Sequence, residues 1–296
     1  DSVKLASGAV SDLTTIIKSL GDETGTSAQK MLKALPPAPP TRGTNFNPRL
    51  PTAPAVQPGE RVRGGTWLLR AQAICPAWAY YQYRLGAGRL EEPVEGLDAR
   101  TRGTFLHAAL QHFWEAVQTS QTLQGMGEAQ RAQAIGVAVE RGLAAHDADS
   151  ASEPLKPRFR ELERERLVRL VSGWIALECD RVQPFEVIAN ERSAVVDVEG
   201  IQARMTIDRI DQLDDGRLLV IDYKTGKSID TKNWASQRLT EPQLPMYAAI
   251  VKPPEGPVVG VVFAKVLMHD PAWAGLAAQE KILPKVPGLD SKAARK

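Results

Sequence analysis

Cysteine is scarce in this sequence of 296 residues, which contains only Cys75 and Cys179. Two thiols cannot build a disulfide framework, and they cannot supply the four thiolates of a cysteine-ligated metal site. A small secreted scaffold stapled by disulfides is therefore excluded. We expect a protein of a reducing, cytoplasmic compartment.

Long apolar runs and a strong charge of one sign are also missing. No stretch approaches the ~20 apolar residues of a membrane span, and the N-terminus shows no signal-peptide pattern. The net charge is only +2, so a DNA partner would need basic residues gathered at one place. The first residue is Asp1 rather than Met, and we expect an excerpt from a longer polypeptide.

Proline, in contrast, is concentrated in one part of the chain. Eight prolines fall between Pro36 and Pro58, where they cannot donate backbone hydrogen bonds to a helix or sheet. We predict a short helical remnant of a preceding domain over residues 1–35, a Pro-rich linker over 36–61 and a folded unit over 62–296. Within that unit we predict a helical part over 62–184 and a catalytic core over about 185–267.

Hydrophobic periodicity changes from helical to strand-like after Pro184. Upstream, apolar residues recur at three- and four-residue steps, which predicts helices at 66–84, from about 103, at 127–145 and at 157–182. Downstream the period becomes two, which predicts strands at 185–198, 201–213 and 217–223, and an apolar run after a Pro- and Gly-rich break predicts a last strand at 258–266. A helix at 242–251 would connect the last two strands. Such a crossover gives an α/β fold, with a mixed central sheet flanked by helices.

Two neighbouring predicted strands carry acidic residues where an apolar strand should end. The first holds Asp208, and the second holds Asp222 and Lys224, which are two residues apart and project from one face. Buried carboxylates are costly unless they are paired or bound to metal, and two of them held close repel each other. The pattern predicts a site for a divalent cation such as Mg²⁺ beside an ammonium, which suits phosphodiester hydrolysis.

Other interpretations of these residues stay open. Asp222 and Lys224 could form a structural ion pair or lie at a solvated strand end, and Asp208 could pair with Arg209 or Arg204. Arg209 could instead contact phosphate or pair with Asp211. For Asp211 itself the pattern favours a turn residue or a solvated acid.

Three further polar residues have an ordinary structural interpretation. His107 lies beside the apolar stripe of a predicted helix, where a partly buried histidine is common. Gln243 and Tyr247 are four residues apart and share a helix face. However, Gln243 could complete a capping box with Thr240, and Tyr247 could belong to the core.

Basic residues give two candidate contacts to a DNA backbone. The arginines of the predicted helix at 157–182 alternate with glutamates, which favours a solvated, self-paired helix over a DNA-binding stripe. Lys227, Lys232 and Arg238 lie nearer the predicted site and are the better candidates for phosphate contacts.

Five segments, taken in order, resemble the RecB-like (AddB-type) branch of the PD-(D/E)XK nuclease superfamily. They are the helix at Cys75-Pro76, 102–107 (RGTFLH), 207–211 (IDRID), 220–226 (VIDYKTG) and 243–247 (QLPMY). The resemblance covers about 64–267. It implies a restriction-endonuclease-like αβββαβ core with an added N-terminal helical part, as in the C-terminal nuclease domain of a bacterial DNA-repair protein.

The resemblance also implies an activity and its residues. The activity would be that of a Mg²⁺-dependent deoxyribonuclease in DNA repair or recombination, exonuclease-like on DNA ends or single strands, with Mn²⁺ as a substitute. His107, Asp208, Asp222 and the carbonyl of Tyr223 would bind the metal. Asp208, Asp222 and Lys224 would be catalytic, and Lys224 would orient or activate the attacking water.

Partners and a departure from the family pattern complete this expectation. Gln243 and Tyr247 would help to position the DNA and Lys224, and a helicase-like domain or subunit could accompany the chain. Relatives with an iron–sulfur cluster use three cysteines after the core, and none follows Cys179, so a cluster is not expected from this chain alone. The alternatives are a catalytically silent DNA- or partner-binding module and a purely structural domain.

Overall fold

A computed structural model of the protein describes residues 56–57, 60–88, 96–148, 154–198, 201–226, 231, 234, 239–250 and 256–288. The predicted remnant at 1–35 and most of the predicted linker lie outside these residues, as do Lys227, Lys232 and Arg238. None of the helices within the described ranges combines the length and the apolarity needed to cross a lipid bilayer.

Five strands form one mixed sheet in the order β1-β2-β3-β4-β5. Their bounds are β1 Phe185–Val198, β2 Ile201–Leu213, β3 Leu218–Lys224, β4 Val258–Lys265 and β5 Ala272–Ala277. β3 and β4 run parallel, and the other neighbours are antiparallel. The predicted α/β fold with a mixed sheet is confirmed, and the four predicted strands lie within a residue or so of their expected bounds. β5 was not predicted.

Most helices lie on the two faces of this sheet. Their bounds are α1 Thr66–Ile74, α2 Pro76–Ala79 with a π-helical turn over Tyr80–Arg84, α3 Ala99–Val117, α4 Ser120–Gly125, α5 Glu128–Asp147, α6 Pro157–Cys179 and α7 Gln243–Ile250. α3 begins before the predicted position near 103, because the side chain of Asp98 accepts a hydrogen bond from the backbone N–H of Thr101 at 2.6 Å and caps it.

The alternation of β3 divides the core into two layers. Leu219, Ile221 and Tyr223 pack with the helices α3, α5 and α6. Leu218 and Val220 face the opposite layer, which contains α7. Since side chains alternate along a strand, the even-numbered residues that follow in β3 project toward the α7 side.

Residues 61–65 run beside the first half of β2, ahead of the stretch that pairs with β3. Val62 N–H donates to the carbonyl of Gln202 at 3.2 Å. Gly65 has a φ of 51°, and a Cβ there would lie 2.5 Å from the carbonyl oxygen of Arg204. This close approach requires glycine, and it places the start of α1 directly against a strand of the sheet.

Candidate active site

The sheet and helix α3 bring His107, Glu191 and Asp208 together. Nδ1 of His107 lies 3.4 Å from Oε1 of Glu191 and 3.5 Å from Oδ2 of Asp208. Ligand atoms of all three residues lie within 4.8 Å of one another. On the other side of the imidazole, Nε2 lies 3.2 Å from the carbonyl oxygen of Tyr223. One nitrogen and several carboxylate oxygens form a donor set that fits a divalent cation.

Glu191 is a site residue that the sequence did not reveal. Its neighbours in β1 pair with the residues on either side of Asp208 in β2, so the two acids face each other across the strands. Its φ of 46° is uncommon and costly for a residue other than glycine. Its buried Oε1 has no hydrogen-bond partner among the described residues. A strained backbone that holds this carboxylate beside a second acid and an imidazole supports a cation site here.

Asp222, Lys224, Gln243 and Tyr247 form a second group at the end of β3. Nζ of Lys224 lies 2.6 Å from Oδ2 of Asp222 and donates to Oε1 of Gln243 at 2.7 Å. The Gln243 amide donates to Oδ1 of Asp222, and it also donates to the Tyr247 hydroxyl at 3.2 Å. The glutamine therefore fixes the acid and the lysine relative to each other.

The capping-box interpretation of Gln243 does not hold. A capping box with Thr240 would place Gln243 at the third helical position. Helix α7 instead begins at Gln243 itself, and both ends of its amide are engaged in the site.

Asp208 connects the two groups. Its Oδ2 accepts a hydrogen bond from the backbone N–H of Tyr223 at 2.7 Å, and its side chain is almost completely buried. The carbonyl of Tyr223, which was expected to bind metal, here faces the imidazole of His107. Asp208 and Asp222 are both buried, which does not favour the interpretation of these acids as solvated surface residues.

The electrostatics of the site favour a cation. Burial and the negative charge of Asp208 together raise the pKa of Asp222 to about 7, against the opposing effect of the Lys224 ammonium. Burial lowers the pKa of His107, but Asp208 and Glu191 outweigh burial and raise that pKa to about 10. In the metal-free protein the imidazole is therefore protonated at neutral pH and acts as the counter-ion of the acids.

If a divalent cation such as Mg²⁺ binds through the His107 imidazole, binding should release its proton and become tighter as pH rises. Because the imidazole holds its proton up to a pH of about 10, the apparent Kd should fall by about tenfold per pH unit between pH 7.5 and 9. Isothermal titration calorimetry in buffers of different ionisation enthalpy measures the released proton. His107→Gln is the control, since it has no proton to release. If the apparent Kd of His107→Gln changed with pH as steeply as that of the parent, the released proton would not come from His107.

A cluster of four charged residues without exposed surface lies behind the site. Arg209 donates to Asp211 at 2.5 Å and to Glu178 at 2.7 Å. Arg181 donates to the same two acids, at 2.7 Å and 3.0 Å respectively. Nη1 of Arg209 also donates to the Tyr223 hydroxyl at 3.3 Å. The interpretation of Asp211 as a solvated or turn acid is wrong, because α6 and its end bring Glu178 and Arg181 over it. Arg209 pairs with Asp211, as one of its two interpretations required.

Arg209→Met should lower the free energy of unfolding by about 3–5 kcal/mol, because it leaves buried acids with one arginine fewer. Denaturant unfolding followed by circular dichroism measures the change. Arg217→Met is the control, since Arg217 forms a surface ion pair with Asp215 at 2.6 Å and should contribute less than about 1 kcal/mol. Equal losses of unfolding free energy in the two variants would show that the buried cluster stabilises the fold no more than a surface ion pair does.

The arginines of α6 are largely neutralised by neighbouring acids. Arg160 and Arg164 pair with Glu140 of α5, while Arg166 and Arg169 pair with Glu163 and Glu165 within their own helix. The pairs of Arg166 and Arg169 agree with the predicted self-paired helix, whereas Arg160 and Arg164 pair with the neighbouring helix. Both arrangements engage the guanidinium groups with acids and do not favour a stripe that contacts DNA.

Two comparisons with known proteins bear on this geometry. The family model of the PD-(D/E)XK nuclease superfamily matches residues 69–282, which is more than half of the chain. The match begins in α1, extends past β5 and includes every site residue described above. A search of curated proteins gave no match.

Proposed function

The chain belongs to the PD-(D/E)XK nuclease superfamily, and on this premise we propose that it is a Mg²⁺-dependent deoxyribonuclease of the RecB-like (AddB-type) branch. Its substrates are DNA ends or single strands, its setting is repair or recombination in the cytoplasm, and Mn²⁺ can replace Mg²⁺. A helicase-like domain or subunit is its expected partner. One observation carries the proposal: His107, Glu191 and Asp208 lie around one point, next to the buried Asp222 and its lysine.

The metal would be held by His107, Glu191, Asp208 and Asp222. The Tyr223 carbonyl, which the sequence predicted as a further ligand, instead lies 3.2 Å from Nε2 of His107, on the other side of the imidazole. When bound, Mg²⁺ lowers the pKa of a water and offsets the negative charge that builds on the phosphate. The protein contributes the arrangement of these ligands. The hydrogen bond from Tyr223 N–H to Asp208 fixes one carboxylate on β2 against the backbone of β3.

Lys224 is placed to act on the water and the phosphate. Its ammonium is fixed by Asp222 and Gln243 and lies 5.4 Å from the ring centroid of Phe263. About 27% of the side chain is exposed, so the ammonium can reach solvent and substrate. From there it can donate a hydrogen bond to the attacking water and stabilise the charge of the phosphate in the transition state.

Gln243→Leu should lower kcat by about 10- to 100-fold, because Asp222 and Lys224 lose the amide that positions them. The affinity for Mg²⁺ should change little, since Gln243 is not among the groups that hold the metal. Tyr247→Phe is the matched control. It removes only the hydroxyl that accepts from Gln243, so its loss of kcat should be clearly smaller. Steady-state cleavage of a labelled oligonucleotide measures kcat for both variants. An unchanged kcat for Gln243→Leu would show that Gln243 does not position Asp222 and Lys224 for catalysis.

The proposed function is tested on end-labelled single- and double-stranded DNA with Mg²⁺, with Mn²⁺ and with EDTA. Cleavage in either metal and none in EDTA is the expected result. Binding of DNA without cleavage in both metals would instead favour the catalytically silent DNA- or partner-binding module. A protein that neither binds nor cleaves DNA would favour the structural domain.

A further inference from the structure

Residues 61–90 have a composition that sets them apart from the rest of the chain. The segment contains five arginines, no acidic residue and five aromatic residues, in a chain with 37 basic and 35 acidic residues. A DNA-binding protein of such low net charge needs basic residues gathered at one place. Arg70 and Arg84 form ion pairs with acids outside the segment, whereas Arg61 and Arg63 are exposed. Interleaved arginines and aromatic rings are the side chains that bind the phosphates and bases of single strands.

Several of these aromatic rings are exposed to solvent. Trp67 is 54% exposed, Trp78 is 47% exposed and Tyr81 is 56% exposed. The chain has six tryptophans, and the other four are buried in the cores: Trp114, Trp174, Trp234 and Trp273. Burial is the usual state of a tryptophan, so two exposed tryptophans and an exposed tyrosine in one short segment indicate a binding surface.

The exposed residues follow helical spacing. Trp67 and Arg70 are three positions apart on α1, and so are Trp78 and Tyr81 on α2 and the π-helical turn. Residues three apart lie on the same side of a helix. Each pair therefore presents its two side chains in one direction.

Helix α1 is fixed next to the catalytic centre. Arg70 forms an ion pair of 2.6 Å with Glu241, two residues before Gln243. The side chain of Thr66 is hydrogen-bonded to Tyr247, which accepts from Gln243 at 3.2 Å. Since Gln243 contacts Asp222 and Lys224, the residue that precedes Trp67 is connected to the catalytic pair through two side chains.

The ring of Trp67 is also held in place. The guanidinium of Arg70 lies 5.1 Å from the centroid of the indole, and the ion pair with Glu241 fixes that guanidinium. A ring that is already ordered loses less conformational entropy when a base stacks on it. An exposed but fixed indole suits a stacking surface.

We propose that Trp67 and Arg70, continued by Trp78 and Tyr81, form a platform on which the bases of single-stranded DNA stack as the strand enters the catalytic centre. Single-stranded DNA is the occupant that fits, because a duplex hides the faces of its bases except at the ends. Stacking is tolerant of sequence, and nearby arginines can contact the phosphates. This inference rests on the proposed function, since it assigns the substrate of that same site.

The test is equilibrium binding in EDTA, measured by fluorescence anisotropy with the full chain. The probes are an oligothymidylate, an abasic oligonucleotide with the same number of phosphates, and a blunt duplex. Trp67→Ala should weaken binding of the oligothymidylate by roughly 5- to 30-fold and leave binding of the abasic strand unchanged. Trp67→Phe should retain most of the affinity, because it keeps a ring.

Phe159→Ala is the matched control, since Phe159 is 48% exposed on α6 and lies outside the segment. It should bind all three probes as the parent does. Trp78→Ala provides a second, independent variant, with a loss for the oligothymidylate in the same direction. Melting temperatures equal to that of the parent would verify that each variant is folded.

Three results would overturn the platform. They are an unchanged affinity of Trp67→Ala for the oligothymidylate, an equal loss for the abasic strand, and tighter binding of the duplex than of the single strand by the parent. None of these binding measurements requires cleavage. Cleavage in Mg²⁺ without base-dependent binding would contradict the platform but not the nuclease activity. Base-dependent binding without cleavage in either metal would contradict the proposed nuclease activity but not the platform.

Discussion

Asp222→Ala should reduce DNA cleavage in Mg²⁺ by about a thousandfold or more, since it removes both a proposed metal ligand and the acceptor that positions Lys224. Asp222 has no exposed surface and contacts Lys224 and Gln243. The variant should also bind Mg²⁺ more weakly than the parent. The rate of product formation from end-labelled DNA measures the first effect, and calorimetry measures the second.

Asp215→Ala is the control for this variant. Asp215 belongs to the turn between β2 and β3, where it is exposed and pairs with Arg217. Asp215→Ala removes an acid from the same hairpin but from outside the site, so its rate of DNA cleavage should equal that of the parent. If Asp222→Ala were folded and cleaved DNA as fast as Asp215→Ala, the proposed catalytic centre would be wrong.

Lys224→Ala should reduce kcat by about 100- to 1000-fold, because the transition state loses a positioned positive charge and hydrogen-bond donor. Mg²⁺ should bind at least as tightly as in the parent, since the substitution removes a positive charge beside the acids. This pattern separates the lysine from the ligands: Asp222→Ala loses metal affinity and rate, whereas Lys224→Ala loses rate alone.

Lys265→Ala is the matched control for the lysine. Lys265 lies opposite Lys224 in the parallel pairing of β3 and β4. Its ammonium is 4.0 Å from the carboxylate of Asp270, which is not a residue of the site. The kcat of Lys265→Ala at saturating DNA should stay near that of the parent. Full activity of Lys224→Ala, or equal losses in both lysine variants, would contradict the role given to Lys224.

Alternation and spacing were sufficient to predict much of this arrangement. β2 has a clear period-two pattern, whereas β3 and β4 are short continuous apolar runs, as expected of strands buried on both faces. The carboxylates of Asp208 and Asp222 stand out because they interrupt apolar strands. The four-residue spacing of Gln243 and Tyr247 predicted a shared helix face, and the hydrogen bond between their side chains agrees with it. Features encoded by neighbours in the sequence were therefore accessible before the structure.

Glu191 was missed because its role depends on strand register. An irregularity between Val187 and Ala189 shifts the pairing of β1 with β2 by one residue. Without that shift, the register at the start of β1 would place Glu191 opposite Ile207 rather than opposite Asp208. Sequence patterns do not reveal a β-bulge of this kind, which re-aims a side chain at a site.

Asp211 and β5 were missed for other physical reasons. The partners of Asp211 include Arg181, which lies just after α6 and 30 residues earlier in the chain. No local pattern reports such a contact. β5 consists mostly of small residues of low strand propensity, and Gly275 is needed because a Cβ there would lie 2.3 Å from the carbonyl oxygen of Val261. Tertiary packing, rather than propensity, makes this segment a strand.

Anomalous diffraction from crystals grown with Mn²⁺ would test the metal centre most directly. We predict a peak between His107, Glu191 and Asp208, with an oxygen of Asp208 about 2.2 Å from the ion. We also predict that Asp208→Ala crystals lack this peak. A peak bound elsewhere, or no peak at Mn²⁺ concentrations at which the same preparation cleaves DNA, would contradict a catalytic cation at this position.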